Sequence, residues 1–517
     1  MNIGHLLTKA SRLHGNRLAI QYGDQRLTYT EFNQRVGQLA EALHTLGIQR
    51  GDRAAIVQRN GPALFETIFA CFRIGATAVP INVRLHPEEV AFISQDCGAK
   101  VLIATSEYAE SALRSREQTP ELQLIGVQSI PNALDYEALI SAADTLTTDI
   151  EVDPTDIAWL FYTSGTTGKP KGAMLTHRNL LAMTMNYYAD VNPIVPEDVV
   201  LHAAPLTHGS GLYALPAFAM GATNIILNTH SFDPAAVFDL IQHYRITTIA
   251  FLAPTQIKML LNGPYESYDL SSLRCIAYGG GPMYVEDMKQ AVEVFGPVLV
   301  QIYGQGESPM TISYLRKEDH ITDNDPTAER RLASAGISRT DVEVRIVDEN
   351  DRDVTTGTLG EIIVRGDVVM AGYWKRPEIT AETLRGGWLH SGDLGLMDEN
   401  GYIYLLDRKK DLIISGGNNI YPREIEEVLL KHSAVYEVAV IGVPDPLWGE
   451  SVKAIVALRQ GSTTTWEELI AFCQDQLASY KKPRSVEFIS QLPKNAYGKI
   501  LKRELRDQYW QGQQRRI

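Results

Sequence analysis

Cysteine is scarce in this chain. Cys71, Cys97, Cys275 and Cys473 are the only four in 517 residues, and their spacing fits neither a disulfide framework nor a cysteine metal site. That scarcity predicts a reducing, cytoplasmic setting. Long apolar runs are missing as well. The most apolar stretch, Tyr213 to Leu227, is short and carries Asn224, so no membrane span is expected. The segment Met1 to Asn16 mixes Leu, His, Lys and Arg at helical spacing and lacks the continuous apolar core of a signal peptide. Positive charge is in deficit, with 48 Lys and Arg against 62 Asp and Glu, a net charge of −14. That balance argues against nucleic acid as the main partner. A Walker A loop is absent too. Gly165 and Gly168 stand too close together for one, and Pro170 follows Lys169.

What the chain does have is the run Tyr162 to Gly172. It crowds Thr163, Ser164, Thr166, Thr167, Lys169 and Lys171 around Gly165 and Gly168. Such a loop can turn backbone N–H groups, hydroxyls and ammonium groups toward a phosphate. Without its particular order it would read as a flexible surface loop. Basic residues also concentrate locally: Lys481 to Arg506 holds 8 basic residues against 2 acidic ones. A basic tail on an acidic protein suits a small polyanion, or is simply a solvated helix face.

The length predicts three or four domain-sized units. Strand-like Leu18–Tyr22 and Arg26–Leu27 precede an amphipathic helix over Tyr29–Leu46, where Thr28 and Glu31 have capping-box spacing. Strand Arg53–Val57, helix Pro62–Ile74, strand Thr77–Ile81, helix His86–Gln95 and strand Lys100–Ala104 follow. The alternation returns between Val199 and Ile302, with helices at Pro234–Tyr244, Pro254–Leu261 and Met283–Phe295. This order predicts two similar α/β subdomains with parallel or mixed sheets. Val342–Val347, Gly360–Val364 and Tyr402–Leu405 predict a small β-rich unit. After the charged junction Asp407 to Asp411 comes a compact β-α-β-β-α pattern. The expected fold is therefore an α/β multidomain protein. Residues 1–409 form a large N-terminal domain, and residues 410–517 form a small, mobile α+β C-terminal domain.

Eight motifs fall in one order: Tyr162–Gly172, Pro205–Gly211, Gly279–Pro282, Tyr303–Glu307, Gly360–Tyr373, Trp388–Asp393, Asp407–Pro422 and Pro493–Lys499. On these the chain resembles the adenylate-forming enzymes: acyl-CoA synthetases, adenylation domains of peptide synthetases, and beetle luciferases. The resemblance implies that a carboxylate attacks the α-phosphorus of ATP. Both reactants are anionic, so cations and donors must be placed beforehand. It implies that Thr163, Ser164, Gly165, Thr166, Thr167, Gly168, Lys169 and Lys171 hold the departing pyrophosphate. Glu307, with Thr163, would hold Mg²⁺, a hard cation suited to carboxylate oxygen. Tyr303 resembles the adenine-stacking ring, with Gly304 beside it. Gly279, Gly280, Gly281 and Pro282 would let the backbone approach the base closely, or are only a strand-to-helix turn. Asp393 resembles the acceptor of the ribose hydroxyls and Arg408 its basic partner. Lys499 resembles the catalytic lysine that bridges carboxylate and α-phosphate.

The second half-reaction separates branches of the family. Ser415 to Pro422 resembles the form found in CoA ligases, in which Gly416 and Gly417 leave room for the pantetheine of coenzyme A. Trp448 resembles an aromatic lining the same tunnel, and Lys482 and Arg484 would meet the CoA phosphates. Lys410 stands where the family has its hinge, and is read as a backbone pivot. Peptide-synthetase loops usually carry an Asp for an amino-acid ammonium, and His202 to Tyr213 has none.

Gly306 departs from the family's Tyr-Gly-x-Thr-Glu pattern. The missing Thr removes a donor and is expected to open space beside the reacting centre for a bulkier acid. The resemblance implies an acyl pocket of His208, Gly211, Tyr213, Tyr278, Gly281, Ile302, Gly304, Gly306 and Met310. No Lys or Arg is among them, which argues against a dicarboxylic acid. His208 is read as a catalytic gate for the carboxylate or the pantetheine, or as a hydrogen-bonded core histidine. The expected function is an ATP-dependent ligase joining a small-molecule carboxylic acid, aromatic, alicyclic or of medium chain length, to CoA. Two alternatives stand beside it: loading of a carrier-protein phosphopantetheine, and a nucleotide- or acyl-binding regulator that has lost catalysis through Gly306. A homodimer is one quaternary state the chain allows.

Overall fold

The structure is a computed structural model, and it describes residues 1–163, 170–281, 283–321, 327–408, 411–415, 418–494 and 500–510. Local chemistry starts the helices where the sequence predicts. Thr28 Oγ1 accepts from the Glu31 N–H at 3.2 Å, and the Glu31 carboxylate accepts from the Thr28 N–H at 2.8 Å. This reciprocal cap opens the helix Tyr29–Thr45. Prolines open Pro62–Arg73, Pro87–Cys97, Pro234–Tyr244 and Pro254–Leu261, where their missing N–H costs nothing.

Two sheets with covering helices form the large domain. The first has seven strands in the order Leu134–Asp135, Gln123–Val127, Ala99–Thr105, Arg53–Val57, Thr77–Pro80, Ile157–Thr163 and Lys171–Thr176. All its pairings are parallel except the last, where Thr163 faces Lys171. The second has nine strands. Its middle is parallel and runs Leu299–Gln305, Cys275–Gly279, Thr248–Leu252, Val199–His202, Thr223–Ile226 and Leu18–Tyr22. Antiparallel Ser308–Leu315 and Gln25–Thr28 flank it, and Ile337–Ser338 closes the far edge.

One expectation is corrected here. Leu18–Tyr22 opens the first β-α alternation in sequence, yet Ile20 pairs with Asn224 in the second sheet. Periodicity identifies a strand but not its partner. The helix Tyr29–Thr45 then lies in the core between the sheets, where Phe32 stacks on Phe218 at 5.2 Å and meets Phe69 edge-on at 6.0 Å.

The β-rich unit has four antiparallel strands: Glu343–Val347, Gly360–Arg365, Leu389–Met397 and Ile403–Arg408. Leu389–Met397 escapes the sequence pattern because Ser391-Gly392-Asp393 interrupts its alternation. The C-terminal part holds the expected β-α-β-β-α order, with a further strand Ser485–Phe488 and a closing helix Lys502–Asp507. Its core gathers Ile425, Leu429, Val438, Val440, Val456 and Leu469. No described helix is long and apolar enough to cross a membrane.

Candidate active site

Parallel sheets collect ligand groups beyond the C-terminal ends of their strands. The strand Leu299–Gln305 delivers Tyr303 and Gln305 there, and both turn to one carboxylate. The Tyr303 hydroxyl donates to Asp393 Oδ2 at 2.7 Å, and Gln305 Nε2 donates to the same oxygen at 2.7 Å. Gln305 also donates to the Ser391 carbonyl at 2.8 Å, which ties the second sheet to the β-rich unit. Asp393 stands opposite Arg408 in the strand register, so the two residues the family pairs at the ribose are brought together. The Arg408 side chain lies outside the described residues.

Glu307 follows the turn after Gln305 and is nearly buried. Its Oε1 accepts from the Tyr373 hydroxyl at 2.6 Å, and Thr163 Oγ1 lies 3.4 Å from the same atom. Lys171 Nζ sits 4.6 Å above the Tyr373 ring, a cation–π contact. Thr163 and Lys171 are paired ends of two strands, so both flanks of the Ser164–Lys169 segment meet the Glu307 carboxylate cluster. Ser164, Gly165, Thr166, Thr167, Gly168 and Lys169 lie outside the described residues, as do Pro282, Lys410, Gly416, Gly417 and Lys499.

Asp96, at the end of the helix Pro87–Cys97, braces this corner. Its carboxylate accepts from the Tyr162 hydroxyl at 2.8 Å and from Arg376 at 2.7 Å. Its backbone carbonyl accepts from Trp374 Nε1 at 3.1 Å and Lys375 Nζ at 2.9 Å.

The expectation of open space at Gly306 is corrected by its surroundings. A Cβ there would lie 2.5 Å from Thr163 Cγ2 and 2.7 Å from Phe161 Cδ1. The half-buried Phe161 ring takes the room that a Thr would need, and it meets His208 edge-on at 5.1 Å. His208 is half-buried, with Nδ1 2.8 Å from Thr207 Oγ1. Desolvation pushes its pKa far below the ordinary histidine range, so the ring is neutral at neutral pH. Phe251 and Met310 meet at Gly209, the residue after His208. A Cβ on Gly209 would lie 3.0 Å from Met310 Sδ and 3.1 Å from Phe251 Cγ.

Several glycines of the expected site are also closely packed. A Cβ on Gly211 would lie 1.8 Å from the Leu206 carbonyl oxygen, one on Gly279 2.2 Å from that of Ile302, and one on Gly304 2.4 Å from the Met310 nitrogen. Tyr278 and Ile302 are buried in the core, and the Tyr278 hydroxyl contacts His320 Nε2 at 3.0 Å and donates to Gln301 Oε1 at 3.2 Å. Tyr213 is fully buried, while Gly281 is exposed and Gly280, with φ at +80°, lies next to Phe251.

In the C-terminal part, Trp448 is exposed and the Arg484 guanidinium lies 5.0 Å from its ring. Lys482 donates to Gln474 at 3.0 Å. Ser415 pairs with both Asn418 and Gly449, so the residues flanking Gly416 and Gly417 adjoin Trp448.

Phe161, Phe251, Tyr373 and Asp96 adjoin the candidate site, and sequence reasoning passes over them. A signal existed for two of them. Phe251 lies near the C-terminal end of a predicted parallel strand, and Tyr373 ends one of the eight motifs. Phe161 and Asp96 matter only through what faces them.

The acceptor carboxylate of Asp393, a second carboxylate at Glu307 suited to a hard cation and a half-buried, mainly apolar group of side chains fit an enzyme that activates an organic acid on a phosphate. Residues 7–374 match the AMP-binding enzyme family and residues 424–499 the AMP-binding enzyme C-terminal domain. The chain is 39% identical to a feruloyl-CoA synthase of Amycolatopsis sp, over 98% of this chain and 99% of that protein. It is 35% identical to an indoleacetate–CoA ligase of Aromatoleum aromaticum, over 98% of each. It superposes on the crystal structure of an anthranilate CoA ligase in complex with anthranoyl-AMP with a TM-score of 0.90 and 26% identity, covering 98% and 97% of the two chains. The chain belongs to the AMP-binding enzyme family and, within it, to the AMP-forming acyl-CoA synthetases.

Proposed function

We propose that this acid:CoA ligase activates an aromatic monocarboxylic acid. The observation that carries the reading is the half-buried wall of Phe161, His208, Phe251 and Met310, which has no cation among its described side chains. The names of the relatives, feruloyl-CoA synthase and indoleacetate–CoA ligase, support an aromatic acid. In the first step a carboxylate oxygen bonds to the α-phosphorus of ATP, and the bond from that phosphorus to the bridging oxygen breaks, releasing pyrophosphate. In the second, the CoA sulfur bonds to the acyl carbon, AMP leaves, and the thiol proton passes to solvent. Thr163, Lys171 and the Ser164–Lys169 segment hold the pyrophosphate, and Asp393 with Arg408 holds the ribose. Lys499 steadies the charge that develops between carboxylate and α-phosphate.

Mg²⁺ fits the donors present. Glu307 and Thr163 offer oxygen only, and no described cluster of three His, Cys, Asp or Glu could cage a metal without substrate. Magnesium characteristically binds through one or two carboxylates plus phosphate oxygens. Held by Glu307 and Thr163, it would neutralise charge on the polyphosphate. The small domain, from residue 410 onward, turns about Lys410 to present first Lys499 and then Gly416 and Gly417. Trp448, Lys482 and Arg484 receive the CoA arm and nucleotide.

Pyrophosphate release across benzoate-type, cinnamate-type and straight-chain acids, with free CoA or a carrier protein as acceptor, tests this reading. Ring acids with free CoA should give the highest kcat/KM. Preference for straight chains, or turnover with the carrier alone, would overturn it. Lys499→Ala should slow adenylation by about a hundredfold or more while thioester formation from a supplied acyl-adenylate survives. Equal loss of both steps would overturn the turning-domain scheme.

A further inference from the structure

Met310 adopts a backbone conformation that favours glycine, with φ at +62°. It lies just past an irregularity where Gln305 pairs with Ser308, in a strand that borders the apolar wall. Its amide is pressed against Gly304 and its sulfur against Gly209. Strain of this kind persists only where the surroundings hold it.

The hold comes from behind. The Tyr213 hydroxyl donates to the Met310 carbonyl at 3.4 Å, and Arg339 Nη2 donates to the Tyr213 oxygen at 3.2 Å. Tyr187 meets the Tyr213 ring edge-on at 4.7 Å and fixes its plane. Arg339 is fully buried, 3.8 Å from Asp190 and 5.3 Å from the Tyr314 ring centre. Its Nε and Nη1 make no hydrogen bond. A buried cation with unmet donors weakens a core, and an apolar side chain of similar volume is usually the more stable choice.

We propose that Arg339 is a positioning residue for acid specificity. It holds Tyr213, Tyr213 holds the Met310 backbone, and the Met310 side chain sets how far an acid reaches between Phe251 and Phe161. The inference rests on the reading of that wall as the acid's site.

The test compares Tyr213→Phe, Arg339→Met and the double variant on one benzoate-type and one cinnamate-type acid. The ratio of the two KM values should change about fivefold in each single variant, the size expected for one buried hydrogen bond, while the KM for ATP holds. The double variant should change it no further, because both residues act through one carbonyl. Equal shifts for both acids, or effects that multiply, would overturn the proposal. If Arg339→Met does not fold, Tyr213→Phe decides alone, since it loses a single oxygen. A crystal structure of Tyr213→Phe separates this idea from the functional reading. Met310 should leave the left-handed region or its sulfur should move. An unmoved Met310 overturns the device whatever acid the enzyme takes.

Discussion

Tyr373 donates to Glu307 while Lys171 rides on its ring, so one side chain ties the carboxylate to the strand Lys171–Thr176. Tyr373→Phe keeps the ring and removes the donor. Pyrophosphate release should fall about tenfold, as for loss of a hydrogen bond to a charged group, and half-saturation by Mg²⁺ should rise. An unchanged Mg²⁺ titration would count against the link. Gly306 makes a second prediction. Thr at this position would strike Phe161 and Thr163, so Gly306→Thr should lower activity on every acid by a similar factor. Adding Phe161→Leu should restore part of it. A loss confined to bulky acids would favour an open pocket instead. At this scale Glu307, Asp393 and Lys171 were legible because each sits in a recognisable run. Phe161 was not, because its role depends on an absent side chain at a position far along the chain.

The helix Pro87–Cys97 reaches the site through its penultimate residue. Asp96 joins Tyr162, near the end of the strand Ile157–Thr163, to the segment Trp374–Arg376 after the Gly360–Tyr373 motif. Burial, more than its charged neighbours, pushes the Tyr162 phenol well above its usual range, so it remains a donor at any working pH. Asp96→Ala would leave that hydroxyl and Arg376 without their acceptor. Stability should drop by about 2 kcal/mol in a denaturant titration, and the KM for ATP should rise severalfold. A stability loss with an unchanged KM would make Asp96 a fold residue only. The helix itself was legible from its pattern and from Pro87. Its contribution to the site was not, since period and capping say nothing about which strand lies under the last turn.

Three buried histidines are held neutral. Desolvation holds His177, His202 and His320 at about 4, against an ordinary value near 6.5. The folded-state values are depressed, so between about pH 6.5 and 4 the unfolded chain binds protons that the native chain refuses. Stability is therefore full above about pH 6.5 and is lost as pH falls toward 4. Each such group contributes up to about 1.4 kcal/mol per pH unit, so the unfolding free energy should fall by at least about 3 kcal/mol between pH 7 and 5. Equal values at both pH settings would contradict this. The two parts of the large domain were visible as two alternations, but the strand Leu18–Tyr22 crossed from one to the other to pair with Thr223–Ile226.

Order and local spacing were enough to determine the α/β architecture and the small C-terminal part, because those properties lie in short runs whose period and residue types carry their own physics, and the adenylate-forming chemistry was implied by the resemblance of eight ordered motifs to a known family. The partner of the first strand, the filling of the Gly306 site by Phe161, the brace of Asp96 and the buried line from Arg339 to Met310 were decided only in three dimensions. Each joins residues far apart in sequence, where packing and the need to satisfy buried polar groups, rather than any local preference, select who meets whom.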